Sequence, residues 1–241
     1  MIGKLKNMSE NVALNASDSG EEVNDGRFFL KGGTATALCN NVSKCVEVEC
    51  THEQSNGSWN AVMLTGRINK VALITVHRMV HSQASEVNSS KAQYQRSIGK
   101  VESAKIIRKR QLKELAEYVN KCKAADVIVA GDFNESTRSE NIKSFMNETE
   151  IYDVFTETNV VETDKKEATY QHGIKCVNHV LATDGTLRKV KECELTECSE
   201  IVESDHRGCL TDVDFAEYFS EEFVGDEERA ESNLNPNRKS T

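Results

Sequence analysis

Hydrophobic and polar residues alternate with a period of two in the first part of the chain and again near its end. These stretches predict ten strands: Phe28–Leu30, Thr34–Cys39, Val46–Glu49, Trp59–Leu64, Val71–Val76, Asp126–Ala130, Thr169–Tyr170, Val177–Ala182, Val190–Leu195 and Thr211–Phe215. Between them, residues 89–123 and Asn141–Thr149 carry apolar residues at three- and four-residue steps, which predicts helices. Because strands and helices do not strictly alternate, and most strand connections are short and polar, the pattern indicates an α+β sandwich with mainly antiparallel strands.

The predicted helical segment 89–123 is strongly basic. It holds ten Lys or Arg residues against three Asp or Glu residues. Two interpretations follow. The segment is either a solvated helix face beside a sheet, which is the one we favour, or a basic surface for a phosphate backbone.

Charge and composition divide the chain into three parts. Residues 1–26 are polar, with two basic against five acidic residues, and we predict a disordered acidic N-terminus. Residues 27–216 form the predicted domain, and residues 217–241, with three basic against seven acidic residues, form a predicted flexible tail. Most of the formal net charge of −9 therefore lies outside the predicted domain, so the acidic total does not exclude a nucleic-acid partner.

No feature of the sequence indicates a membrane or secretory protein. No stretch approaches the roughly 18 consecutive apolar residues of a membrane span, and the N-terminus lacks the apolar core of a signal peptide. We therefore expect no membrane partner and an intracellular location, nuclear or cytoplasmic. The eight cysteines include no Cys-x-x-Cys pair and predict neither a disulfide framework nor a zinc site.

Two polar clusters follow predicted strands. Asp132 and Asn134 are two positions apart after a buried strand, so on an extended backbone a carboxylate and an amide would face one pocket. Asp205 and His206 are adjacent, and a carboxylate that fixes the tautomer of a histidine produces a general base near neutral pH. Each cluster alone is also typical of an ordinary turn or a surface loop. Together they predict phosphoryl chemistry.

With these clusters, the sequence resembles the endonuclease/exonuclease/phosphatase superfamily. The superfamily's motifs correspond to Gly131-Asp132-Phe133-Asn134, Asn178-His179-Val180-Leu181 and Ser204-Asp205-His206. The chain is most similar to the endonuclease-like domain of retrotransposon polyproteins. That similarity is carried by Gly32-Gly33-Thr34, His77-Arg78, Tyr94-Gln95 and Thr169-Tyr170-Gln171-His172-Gly173, and it spans roughly residues 28–216.

The resemblance implies a four-layer αββα sandwich that hydrolyses phosphodiester or phosphomonoester bonds with Mg²⁺ or Mn²⁺. By motif match, His206 is the base that activates water, and Asp205 orients it or assists the metal. Asp132 positions the nucleophile and is a second candidate metal ligand, whereas Asn134 stabilises the transition state. We place His77 and Asn178 in the same candidate site.

The sequence departs from the family pattern at three places. Asn178 replaces an Asp, and His77 replaces the Tyr expected before Arg78. The strands that carry the family's catalytic Asn and metal-binding Glu have no match in the 31 residues before Gly32. We therefore expect a sandwich that lacks its first strands, binds Mg²⁺ or Mn²⁺ weakly and is impaired as an enzyme.

The resulting prediction is a metal-dependent phosphodiesterase or endonuclease-like domain of retroelement origin that acts on nucleic acid, with DNA as the preferred partner. The ending Asn235-Pro236-Asn237-Arg238-Lys239 resembles the linker before a reverse transcriptase, which is therefore an expected neighbour in the parent polyprotein. Two alternatives remain open. The chain is either a catalytically silent nucleic-acid-binding or interaction module, or a phosphatase of the same fold.

Overall fold

The computed structural model describes residues 12–17, 33–47, 52–53, 57–66, 69–80, 90–122, 125–158, 168–197, 204–216 and 218–219. Its strands are β1 Val12–Ser17, β2 Thr34–Cys39, β3 His52–Glu53, β4 Trp59–Thr65, β5 Lys70–His77, β6 Asp126–Asp132, β7 Ile151–Asp153, β8 Asn178–Thr183, β9 Val190–Leu195 and β10 Cys209–Val213. Its α-helices are α1 Ser90–Ile98, α2 Ala104–Lys121, α3 Glu140–Thr149, α4 Val154–Thr158 and α5 Asp184–Leu187, and a 3-10 helix spans Asn40–Cys45.

Six of the strands form one mixed sheet in the order β3-β4-β5-β6-β8-β7. Neighbouring strands pair antiparallel except β5 and β6, which run parallel. A parallel pair needs a crossover connection, and α1 and α2 provide it. The predicted antiparallel pairing is therefore correct for this sheet except at β5 and β6, which carry the candidate site.

One face of the sheet packs against helices α2 and α3. Every second strand residue, such as Ile74 and Val129, faces Leu115 of α2 and Phe145 of α3 in one buried cluster. Serine caps start both helices, because the side chain of Ser103 accepts from the backbone N–H of Ile106 and α3 begins in the same way.

The other face is covered by two antiparallel two-stranded ribbons, β1–β2 and β9–β10. On this side Val62 and Leu64 pack with Leu38 of β2, while Val180 and Ala182 pack with residues of β9 and β10. The Oγ1 of Thr36 on β2 lies 2.7 Å from the Oγ1 of Thr75 on β5, so ribbon and sheet meet face to face. This arrangement is the predicted α+β sandwich, and in the described ranges its second sheet consists of two separate ribbons.

Most predicted elements are confirmed to within one or two residues, including the basic segment, which forms α1 and α2. One predicted strand is wrong, because Tyr170 forms only an isolated bridge to His206. Of the predicted strand Val46–Glu49, Val46 bridges Leu64 and the N–H of Glu47 donates to the carbonyl of Met63, while residues 48 and 49 lie outside the described residues. The predicted strand Phe28–Leu30 lies outside the described residues. Among the helices of the described ranges, none is long and apolar enough to cross a membrane.

The predicted domain boundaries are corrected at both ends. Val12–Ser17, which we assigned to a disordered N-terminus, forms β1 and pairs with β2 over all six residues. Residues 1–26 are polar on average, and this average concealed the short apolar run at the start of β1. Tyr218 and Phe219, which we assigned to the tail, are buried against Leu64, so the folded unit extends past residue 216.

Candidate functional site

Three candidate residues lie side by side at one end of the sheet. In the strand register His77 pairs with Asp132 across β5 and β6, and Asp132 pairs with Asn178 across β6 and β8. Side chains that are directly paired on neighbouring strands lie on the same face. The row therefore faces the ribbons, on the side of the sheet away from the helices.

Gly131 allows β5 and β6 to approach closely beside this row. Its φ of 142° is one that residues with side chains rarely adopt, and a Cβ there would lie 2.0 Å from the backbone oxygen of Val76. Glycine is thus required immediately before Asp132.

Asn134 is brought to Asp132 by a turn, because the strand already ends at Asp132 and Asn134 has a left-handed φ of 50°. The expected extended geometry at this pair is therefore wrong. The backbone N–H of Asn134 donates to Oδ1 of Asp132 at 2.8 Å, and its Nδ2 donates to Oδ2 at 3.0 Å. The same Nδ2 also donates to the carbonyl of Arg78 at 2.6 Å. Both hydrogens of the amide are occupied, so Asn134 holds Asp132 in place and keeps no hydrogen for a phosphoryl oxygen.

His206 reaches the row from the segment before β10, and Asn178 fixes its ring. The amide Nδ2 of Asn178 donates to the carbonyl of Arg207 at 2.9 Å, which directs its Oδ1 towards Nδ1 of His206 at 3.1 Å. Since an amide oxygen only accepts hydrogen bonds, Nδ1 carries the hydrogen and the neutral ring keeps its lone pair on Nε2. His206 is therefore in the tautomer that a general base needs.

A short segment before β8 supports His206 from the other side. Thr169 is fully buried, and its Oγ1 accepts from the backbone N–H groups of both Val177 and Asn178. The ring of Tyr170 lies 4.9 Å from the ring of His206. The motif that begins at Thr169 was part of the sequence resemblance, but its role in positioning Asn178 and His206 was not predicted.

These groups line a cavity of about 480 Å³, which we call the catalytic cavity and whose lining includes His77, Asp132, Asn178 and His206. Burial lowers the pKa of His77, the Asp132 carboxylate partly opposes this effect, and His206 lowers it further. Burial raises the pKa of Asp132, while hydrogen bonds from Asn134 and the two nearby histidines oppose the rise. His77 is thus a neutral imidazole at neutral pH, beside a carboxylate in a partly desolvated site.

Asp205 lies apart from this arrangement. Its side chain is exposed and is not part of the cavity lining, and its backbone carbonyl accepts from the N–H of Gln171. The partner that fixes the ring of His206 is Asn178, not Asp205. Of the two candidate metal ligands, Asp132 lines the cavity and Asp205 does not.

The residues in the described ranges do not complete a metal site. There, no group of three or more His, Cys, Asp or Glu side chains could hold a metal ion. Asp132 provides one carboxylate, and the oxygen of Asn178 already accepts from His206.

A charge cluster that the sequence did not predict lies directly behind Asn134. Oε2 of Glu135 accepts from Arg78 at 2.6 Å and from Arg108 of α2 at 2.7 Å. Burial disfavours the charge on Glu135, but hydrogen bonds from Asn141, Ser139 and both arginines outweigh it and lower its pKa to about 2. Two signals were available in the sequence, since Glu135 directly follows the Asp132 motif and Arg78 directly follows β5. Their contact with Arg108 depends on the packing of α2.

Comparisons with known proteins identify the fold. No protein-family model and no curated protein matches the chain. Among solved structures, an endonuclease/exonuclease/phosphatase family protein from Leptotrichia buccalis is 13% identical, with 89% of this chain and 76% of that chain covered and a TM-score of 0.50.

Two further structures are similar at lower scores. A 3′ phosphatase from Neisseria bound to a product DNA hairpin is 13% identical, covers 66% of this chain and has a TM-score of 0.45. The chain spans 65% of the length of that phosphatase. The endonuclease domain of TRAS1, a telomere-specific non-LTR retrotransposon, is 14% identical, with 84% of this chain and 80% of that chain covered and a TM-score of 0.48. The chain has the endonuclease/exonuclease/phosphatase fold, as the sequence motifs predicted.

Proposed function

We propose that this chain, which has the endonuclease/exonuclease/phosphatase fold, hydrolyses phosphodiester bonds in nucleic acid within the catalytic cavity. One observation carries the proposal. His206 is held by Asn178 in the general-base tautomer and lies at the end of the sheet where His77 and Asp132 are paired neighbours.

We assign a role to each side chain of the cavity as part of this proposal. Nε2 of His206 takes a proton from water, and the oxygen of that water forms the new bond to phosphorus. Asp132, held by Asn134, accepts from the same water and orients it. His77, neutral because burial lowers its pKa, donates an N–H to a phosphoryl oxygen as negative charge develops there. The bond from phosphorus to the ester oxygen breaks, that oxygen takes a proton from water, and His206 gives its proton to the hydroxide that remains.

Metal dependence is part of the proposal. Mg²⁺ or Mn²⁺ would polarise the phosphoryl group, with Asp132 as a ligand. Because the described residues do not complete such a site, the steps above are assigned to the side chains of this chain alone. We expect weak metal binding, seen as a need for millimolar rather than micromolar Mg²⁺ or Mn²⁺.

The test is a cleavage assay on supercoiled plasmid and end-labelled DNA and RNA oligonucleotides with Mg²⁺, with Mn²⁺ or with a chelator. We expect slow cleavage that requires the metal and is lost in His206→Ala. If wild type and His206→Ala show equal background cleavage under all conditions, the chain is not a hydrolase. Tight oligonucleotide binding without cleavage would then favour the silent binding module.

The retroelement origin and a neighbouring reverse transcriptase belong to the same proposal and rest on the sequence motifs, such as Gly32-Gly33-Thr34 and Thr169–Gly173. The genomic sequence on both sides of the coding region tests them. A reverse transcriptase reading frame downstream would support this origin, and unrelated single-copy genes on both sides would contradict it.

A further inference from the structure

A second pocket, of about 500 Å³, opens on the other side of Asn134. We call it the basic pocket. Its lining includes Arg78, Lys105, Arg108, Lys109 and Lys175 together with the carboxylate of Glu135. Asn134 joins the two sites, because it lines the basic pocket while its amide donates to Asp132 in the catalytic cavity.

The pocket carries an excess of positive charge. Five cationic side chains surround a single carboxylate, and that carboxylate is already engaged by Arg78, Arg108 and Asn141. Lys105, Lys109 and Lys175 are exposed, and no ion pair within the described ranges neutralises them. The potential in the pocket therefore attracts an anion.

Arg78 indicates that the charge is not fully compensated. Its side chain is 1% exposed, yet among the described residues its Nη2 has no hydrogen-bond partner. Burial, followed by the charge of Arg108, lowers its pKa to about 10 despite the contact with Glu135. A buried guanidinium with an unused donor is costly, and a nearby anion would reduce that cost.

A solvated helix face does not account for this arrangement. Arg108 lies in the same basic helix as Lys113 and Lys121, but it is buried and inserted between Glu135 and the carbonyl of Asn134. Lys113 instead lies on the exposed face and pairs with Glu117 of the same helix, 3.8 Å away. The N-terminal part of the helix therefore contributes to the pocket, while Lys113 lies on an ordinary solvated face.

We propose that the basic pocket binds one phosphate group of the nucleic-acid strand, next to the phosphate that enters the catalytic cavity. This inference rests on the proposed function, since it takes a nucleic acid as the substrate. The pocket selects for negative charge, and Lys105 and Lys109 supply mobile ammonium groups above the fixed guanidinium groups of Arg78 and Arg108.

The test measures binding separately from cleavage. Fluorescence anisotropy of a labelled oligonucleotide is recorded at several salt concentrations in the presence of a chelator. For Lys105→Ala/Lys109→Ala we expect affinity about tenfold lower at moderate salt, and a slope of log affinity against log salt that is shallower by about 1, as for one lost phosphate contact. The matched control, Lys113→Ala/Lys121→Ala, removes the same charge from exposed positions of the same helix outside the pocket and should leave the slope unchanged.

A second experiment decides whether the pocket binds a phosphate of the strand or a free phosphate ion. Inorganic phosphate is titrated against wild type and against Lys105→Ala/Lys109→Ala, and the thermal midpoint is recorded. Equal salt slopes in both double variants overturn the proposal. Stabilisation by free phosphate in wild type alone, with equal slopes, would assign the pocket to a free anion instead.

Failure of the inference and failure of the proposed function are distinguishable. If binding depends on Lys105 and Lys109 but no cleavage occurs under any metal condition, the phosphate site is supported and the hydrolase proposal is contradicted. If cleavage occurs but the slope of log affinity against log salt does not depend on Lys105 and Lys109, the hydrolase proposal is supported and the phosphate site is contradicted.

Discussion

The catalytic cavity and the basic pocket lie on either side of Asn134, and they use different chemistry. The cavity contains groups whose pKa values are shifted by burial, His77 downwards and Asp132 upwards. The basic pocket contains fixed charges, with the pKa of Glu135 at about 2 and that of Arg78 at about 10. In the cavity, burial acts on groups that the proposed reaction uses, whereas the basic pocket presents fixed charges that suit the binding of a phosphate. The contrast agrees with the proposed separation of reaction and binding at this edge of the sheet.

The largest expected effect is on the reaction itself. His206→Ala removes the general base and should lower the cleavage rate by about 10²–10⁴-fold. The control is Asp205→Ala, one residue away and exposed, which should change the rate less than about threefold because Asn178, not Asp205, holds the ring. Single-turnover rates measure both. If Asp205→Ala lowers the rate as much as His206→Ala does, Asp205 takes part in the reaction.

The basic pocket is expected to matter most for stability. Glu135→Gln leaves Arg78 and Arg108 buried without a compensating charge and should lower the free energy of unfolding by about 3–5 kcal/mol. Urea unfolding measures this, with Glu117→Gln as the control, since its exposed pair with Lys113 contributes about 0.5 kcal/mol or less. If the two variants are equally stable, the cluster does not hold the pocket together.

Substitutions of Asn178 test whether this residue orients the general base His206. Asn178→Asp places a negative charge beside Nδ1 of His206, which stabilises the imidazolium formed during proton transfer, and should raise the rate about tenfold. Asn178→Leu removes the oxygen and should lower the rate by a similar factor. Equal rates in the two variants, with folding checked by circular dichroism, would mean that Asn178 does not orient His206.

The smallest expected effect is the pH dependence of stability, and it separates the two regions. Because the pKa of His77 lies below its ordinary 6.5 in the folded state, the unfolded chain binds its proton first as pH falls below 6.5. Acidification from pH 7 to 5 should therefore lower the thermal midpoint, with a contribution of at most about 1.4 kcal/mol per pH unit.

His77→Gln should make that fall shallower. The basic pocket should contribute little in this window, since the stability provided by Glu135 is present above pH 4.5 and is lost only as pH falls towards 2. Asp132 acts in the opposite sense to His77, because its raised pKa favours the protonated folded state. An unchanged pH slope in His77→Gln would contradict the assignment of a buried neutral imidazole.

The sequence predicted the strands around the site because their apolar alternation is a local signal. It also selected Asp132 and His206 as candidates through motifs, and both line the same cavity. It could not show that His77, Asp132 and Asn178 form one row, since that depends on the register of strands that are 46 or more residues apart in the chain.

Two other features required the folded chain. The orientation of Asn134 differs from the predicted one because its left-handed backbone directs the amide back to Asp132, and a two-residue spacing alone does not reveal where a strand ends. The contact of Arg108 with Glu135 joins segments 27 residues apart, and only the packing of α2 shows that one arginine of a basic helix is buried.

The central claim, that the cavity carries out the reaction while the basic pocket holds the strand, is tested most directly by one pair of saturation curves. Single-turnover cleavage of one labelled oligonucleotide is measured over a range of protein concentrations for His206→Ala and for Lys105→Ala/Lys109→Ala. We predict that His206→Ala lowers the maximal rate at an unchanged half-saturating concentration. The lysine double variant should raise the half-saturating concentration about tenfold at an unchanged maximal rate. If both variants change the same parameter, the two regions are not separate in function.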